Sequence, residues 1–338
     1  MSTPVVAFFN NKGGVGKTSL VYHLSWMYAD IGARVVVADL DPQANLTAAF
    51  LDDDQIEQLW LDDTRRPTVF GAIEPLLRGV GDILDEPYVE TVEERIHLLP
   101  GDLALAQFED ELSHEWPLCM DRKERAFRVV SAFWRLIQKA AGLVAGDFAL
   151  MDLGPNLGAI NRAALIAADY LVVPLAADLF SLQGLKNLGP TVRTWRGEWT
   201  DRRSRNPVPG LDLPPGQIRP VGYVVMQHAV RLDRPVKAYD RWAARIPEVY
   251  SEQVLGQKPS SLASGDDGNR VGQVKHYRSL MPMAQEARKP MFHLSSADGA
   301  IGAHAKAVVE ARVNFRQLAD EVAKRCGLRM TSSVRRAL

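Results

Sequence analysis

Asn10-Asn11-Lys12-Gly13-Gly14-Val15-Gly16-Lys17-Thr18-Ser19 separates two apolar runs of different period. Before it, Pro4-Val5-Val6-Ala7-Phe8-Phe9 is short and continuously apolar, which reads as a buried parallel strand. After it, Leu20, Val21, Leu24, Met27, Tyr28 and Ile31 recur at helical spacing, and Gly32 is a natural stop. A glycine-rich turn that leaves a strand and opens a helix is a phosphate-binding loop. Gly13, Gly14 and Gly16 let backbone N–H groups turn inward around phosphate oxygens, and the helix start adds its positive dipole end. Lys17 neutralises β and γ charges, Thr18 offers its hydroxyl to Mg2+, and Asn11, Val15 and Ser19 complete the nucleotide-holding stretch. One position departs from G-x-x-x-x-G-K-[ST], because the first glycine falls on Asn11. Lys12 is an additional lysine with no role in an ordinary loop of this kind.

Outward from the loop, Arg34-Val35-Val36-Val37-Ala38-Asp39 reads as a second strand, and a βαβ start predicts a right-handed crossover and a parallel sheet. Further strands are predicted at Ile96–Pro100, Phe148–Asp152, Tyr170–Pro174 and Val221–Met226, with helical patterns between most of them. That alternation specifies an α/β fold of the P-loop NTPase type, a mostly parallel twisted sheet with helices on both faces. Arg202 to Gly216 holds four prolines and two glycines, and Pro259 to Gly272 is rich in Ser, Gly and Asp, so both read as loops. A helix over about residues 300–325 and a basic tail over 326–338 close the chain, with residues 1–325 read as a single domain.

Two strand ends carry carboxylates. Asp39 and Asp41 follow the second strand on similar sides, at the carboxyl edge where α/β sheets bind ligands. Asp147-Phe148-Ala149-Leu150-Met151-Asp152 is an apolar strand ending in a carboxylate, the layout in which Asp152 binds Mg2+ through a water.

Composition narrows the class. The 338 residues are 46% hydrophobic and 24% charged, which is ample for a core and too apolar for a disordered chain. Forty Lys and Arg against 41 Asp and Glu exclude a globally basic nucleic-acid binder, so any such contact needs a local patch. Cys119 and Cys326 alone, with no Cys-x-x-Cys, supply neither a disulfide framework nor a zinc or iron–sulfur site, and a reducing cytoplasm is expected. No signal-peptide pattern is present, and no uncharged apolar run reaches about 18 residues.

Lys12-Gly13-Gly14-Val15-Gly16-Lys17-Thr18 resembles the deviant Walker A motif of the ParA/MinD family of P-loop ATPases. The resemblance implies a homodimer that sandwiches ATP, with Lys12 reaching the partner's nucleotide and stabilising transferred charge as an arginine finger does. Asp39-Leu40-Asp41-Pro42-Gln43-Ala44-Asn45 is similar to the D-x-D-P-Q-x-N box of the ParA branch. By that match Asp41 orients the attacking water and Asp39 supports Mg2+ through water. Gly154-Pro155-Asn156-Leu157-Gly158 and Asn161-Arg162-Ala163-Ala164-Leu165 resemble the family's switch II, with Gly154 in place of the first of two prolines. Gln227 stands where members often carry an adenine-reading Asn and offers the same amide donor and acceptor, which leaves GTP open as well. The likeness covers about two-thirds of the chain, and insertions near residues 195–217 and 247–280 fall outside it.

Among the family's branches, the ParA-like one implies non-specific DNA binding by the ATP-bound dimer, nucleoid association and a stimulating adaptor or cargo protein. Charge is polarised accordingly. Residues 306–338 hold eight basic and three acidic residues, and Arg193–Arg205 five and two, whereas residues 40–63 hold seven acids and no base. Trp195 and Trp199, four apart, fit packing of a helix on the sheet rather than base stacking. Arg241 and Arg245 lie on a predicted helix where ParA relatives place DNA contacts, while the arginine common before the last helix is missing from Ser295–Ala300. A MinD-like reading would use Val322, Leu328, Met330, Val334 and Leu338 among basic residues as a membrane-docking helix, but Gly327 and Thr331-Ser332-Ser333 interrupt the spacing. A third reading is a scaffold that holds nucleotide as a switch with negligible turnover.

Overall fold

The computed structural model describes residues 2–61, 66–227, 236–257, 267–277 and 279–329. Among them, eight strands form one sheet: β1 (Val5–Phe8), β2 (Val35–Asp39), β3 (Glu90–Glu93), β4 (Ile96–Leu99), β5 (Phe148–Asp152), β6 (Tyr170–Leu175), β7 (Arg219–Met226) and β8 (Arg270–Val274). Their order is β3-β4-β2-β5-β1-β6-β7-β8, parallel throughout except for the edge pair β3 and β4.

Period-two alternation along the central strands divides the core between the two faces. Val5, Ala7, Ala149, Met151 and Val173 bury against one helical layer, which includes Phe108–Leu118, Ala132–Val144, Ala159–Ala167 and the long helix Leu179–Arg203. Val6, Phe8, Val35, Val37, Phe148 and Leu150 bury against the other, formed by Lys17–Asp30, Asn45–Phe50, Leu280–Ala287 and Ala303–Cys326. Both faces are therefore dry, which is why the central strands read as unbroken apolar runs.

Two expectations change. The region read as a loop through Gly272 ends in β8, a strand with a glycine inside it and only two fully apolar side chains, Val271 and Val274; residues 259–266 of that loop lie outside the described residues. The Arg202 to Gly216 loop begins later, because the long helix runs through Arg203. The membrane-docking pattern is broken where it can be seen: Val322 is buried, Leu328 packs on the core and Gly327 ends the helix in a left-handed conformation. Its remainder, with the basic tail from residue 330, lies outside the described residues. Among the described residues no helix is long and apolar enough to cross a membrane.

Candidate functional site

The sheet order places β5 between β1 and β2, so the loop after β1 and the ends of β2 and β5 meet at one carboxyl edge. Register makes the meeting close: Asp39 faces Asp152 across the β2–β5 ladder, and Phe8 faces Asp152 across β1–β5. Gly14 (φ 69°) and Gly16 (φ 84°) take left-handed conformations that side chains disfavour, and Gly16 leads into the helix Lys17–Asp30. That helix start has no side-chain cap and no acidic residue in its first turn, which leaves its N–H groups for an anion.

Gly13 through Ser19 line a cavity of about 740 Å3 together with Tyr22, Asp41, Gln43, Asn45 and Pro155. Its far wall is Met281, Ala284, Gln285, Arg288 and Lys289, from the helix Leu280–Ala287 and the turn after it. Sequence reading missed that wall. No motif or spacing marks it, because the wall closes on the loop only through the tertiary fold.

Lys17 is buried, with its ammonium 3.4 Å from the backbone oxygen of Lys12. Burial lowers its pKa, against the opposing pull of Asp152 and Asp41. Thr18 donates a 2.6 Å hydrogen bond to Oδ2 of Asp152. Asp152 is fully buried, and burial together with the Asp39 charge raises its carboxyl to about 8. Among the described residues its Oδ1 has no hydrogen-bond partner. A buried carboxylate oxygen without a donor, beside a hydroxyl and near two further carboxylates, fits a hard divalent cation such as Mg2+.

Asp39 differs from the expectation of a water-mediated metal contact in one respect. Its Oδ2 accepts from the backbone N–H (2.8 Å) and hydroxyl (2.7 Å) of Thr47, and its Oδ1 from the N–H of Asp41 at 3.3 Å. Burial raises its carboxyl to about 6 despite these donors. The structure thus shows Asp39 bracing the turn that carries Asp41. Asp41 itself lines the cavity, and its Oδ1 accepts from the N–H of Gln43 at 3.0 Å.

Of the sequence-selected residues, Asp39 and Asp152 are fully buried and do not line the cavity, and three more stand apart from it. Lys12 is ion-paired with Asp178. Asn11 turns its Oδ1, buried and without a partner, toward the long helix, where a Cβ on Gly184 would lie 2.7 Å from it. Gln227 extends the β7–β8 ladder through its N–H to Val274 (2.9 Å) and does not line the cavity, whereas the preceding Met226 reaches the loop, within 3.0 Å of a Cβ built on Gly16.

The basic segments divide as well. Trp195 and Trp199 are buried, and the Trp199 indole donates to Pro214 O at 3.0 Å, as their packing role requires. Arg316 pairs with Asp320, and Arg325 with Glu321 and two backbone oxygens. Arg241 and Arg245 are exposed, 5.1 and 5.4 Å from the Trp242 ring.

The sequence profile of a family described as AAA domain matches residues 3–202. Sporulation initiation inhibitor protein Soj of Bacillus subtilis is 30% identical over 190 residues, covering 56% of this chain and 64% of that protein. Chromosome partitioning protein ParA of Caulobacter vibrioides is 30% identical over 198 residues, covering 59% and 65%. The chain thus spans a little under two-thirds of the length of these relatives. Among solved structures, a structural-genomics target from Corynebacterium diphtheriae superposes with TM-score 0.69 at 25% identity, covering 95% of this chain and 98% of its own. The ATP complex of Cyanothece McdA shares the fold at TM-score 0.63 and 14% identity, with 97% and 98% coverage.

Proposed function

Since this chain belongs to the ParA/MinD family of P-loop ATPases, we propose that it is a ParA-like positioning ATPase that dimerises around ATP, binds DNA without sequence preference and releases it on hydrolysis. The observation that carries the reading is the juxtaposition of an uncapped, glycine-turned helix start and Asp41 around one cavity, with Thr18 bonded to the buried Asp152 and Lys12 turned outward.

In this reading, the backbone N–H groups from Gly13 to Thr18 hold the phosphates, and Lys17 balances their charge in a dry setting where it counts most. Thr18 and Asp152 would hold Mg2+, with Asp39 keeping the Asp41 turn in place and adding negative charge behind the site. When bound there, Mg2+ would supply positive charge against the phosphate oxygens. Asp41 orients the attacking water. Lys12 of a second subunit meets the transferred charge, so turnover is slow until a partner protein completes the arrangement. The γ phosphate then acts as the switch, its loss releasing the dimer.

DNA contact is assigned to Arg241 and Arg245, which are exposed and unpaired by any carboxylate described, with Arg203 and Arg205 at the end of the long helix. The protein acts in the cytoplasm at the nucleoid and carries a cargo through an adaptor. The test is equilibrium binding to non-specific duplex DNA across a salt series, with ATP, ADP or no nucleotide. ATP-specific, salt-sensitive binding supports the reading. Binding to anionic vesicles with none to DNA would move it to the membrane-associated alternative.

A further inference from the structure

Lys12 is the lysine of the phosphate loop that points away from the cavity. Its ammonium is paired with Oδ2 of Asp178 and lies 5.9 Å from the centroid of the Phe180 ring. Asp178 immediately precedes the long helix Leu179–Arg203, and its Oδ1 caps that helix by accepting the N–H of Ser181 at 2.8 Å. One carboxylate therefore serves a helix end and a cation 166 residues away in sequence. The side chains of the pair are 26% and 18% exposed, so water screens the contact only in part. Burial alone would raise the Asp178 carboxyl, and the Lys12 and Ser181 donors overcome that and hold it below the ordinary range.

Beside the pair, Leu179 is 53% and Phe180 71% exposed. An exposed aromatic adjoining a half-dry ion pair is a surface whose covering would change the pair's energetics, because excluding water strengthens every charge interaction there. Under those conditions a triphosphate, with several negative charges, outcompetes a single carboxylate for an ammonium group.

We propose that Asp178 is a positioning residue that parks Lys12 on its own subunit, and that a second copy of the chain, by covering Leu179 and Phe180, exchanges Asp178 for its own bound triphosphate as the partner of Lys12. The proposal rests on the reading that Lys12 acts across a homodimer. Its consequence is a threshold: association is held back by the intact Lys12–Asp178 pair until the nucleotide opposite carries enough charge to break it.

The experiment uses the full chain in an Asp41→Ala background with MgATP, with self-association measured by sedimentation equilibrium. Asp178→Asn removes the charge and keeps an equally good helix cap. It should tighten self-association by roughly 1.5-fold to fivefold, the value of a partly exposed ion pair. Asp178→Ser, a second uncharged cap, should do the same, and the Asn substitution should lose its effect once Lys12→Gln is present. Nucleotide affinity of the isolated subunit should stay within about twofold, since Asp178 does not line the cavity. Unchanged or weaker association of both uncharged variants, with the parent dimeric, overturns the proposal while leaving the dimer reading intact. A parent that stays monomeric in MgATP overturns the dimer reading and the proposal together.

Discussion

The Thr18 hydroxyl donates to Oδ2 of Asp152, tying the first turn of the phosphate-loop helix to the end of β5. Asp152 faces Asp39 across the ladder, both fully buried, so without a cation two carboxylates would oppose each other in a dry place. Asp152→Asn keeps an acceptor for Thr18 and removes one of them. In EDTA it should raise stability to urea by about 1–2 kcal/mol, as relief of buried like charge does. The same substitution should erase the difference in ATP affinity between Mg2+ and EDTA in calorimetric titrations. A variant less stable in EDTA would show that Asp152 serves packing rather than a cation.

Two glycines of the long helix should respond to alanine with opposite signs. A Cβ on Gly189 would sit 1.8 Å from the backbone oxygen of Gln253, where the helix meets the segment Tyr250–Val254. Gly189→Ala should therefore destabilise by about 3 kcal/mol, the upper end for overpacking. A Cβ on Gly197 would meet nothing within 4 Å among the described residues, and Gly197→Ala should stabilise by about 0.5–1 kcal/mol through helix propensity. Thermal melts of the two variants check both signs.

His23 supplies a pH dependence. Its ring is buried, stacked on Phe315 at 4.9 Å, with Nδ1 2.6 Å from Ser19 O and Nε2 accepting the N–H of Met291 at 3.2 Å. Burial lowers its pKa to about 4, against the Ser19 contact. Because the unfolded chain takes up this proton first, the stability is fully present above pH ~6.5 and declines as pH falls toward 4. The loss should approach on the order of 3 kcal/mol in denaturant midpoints, and His23→Gln should flatten that part of the profile.

Arg241→Glu with Arg245→Glu should weaken ATP-dependent DNA binding and lower the salt slope by about 2, leaving ATP-driven self-association unchanged. Fluorescence anisotropy at several salt concentrations measures both the affinity and the slope. An unaltered slope would place the DNA face elsewhere.

How far the sequence speaks depends on whether a signal is local. The stretch from Asn10 to Ser19 and the apolar runs of β1, β2 and β5 declare themselves because strand burial and the turn glycines are neighbours in the chain. β3 and β8 do not, since Glu90–Glu93 and Arg270–Val274 are short edge strands with little apolar content. Asp39 shows the limit at the site: its place at a strand end was legible, whereas its engagement by Thr47 depends on how the Ala44 turn folds back. The Lys12–Asp178 pair and the wall of the helix Leu280–Ala287 join segments far apart in sequence, and no spacing rule reaches them.

Sedimentation velocity of Asp41→Ala with MgATP, MgADP and no nucleotide tests the account most directly. A dimer with MgATP and monomers in the other two states is the predicted result. A monomer in all three, from protein shown to hold ATP, would contradict it.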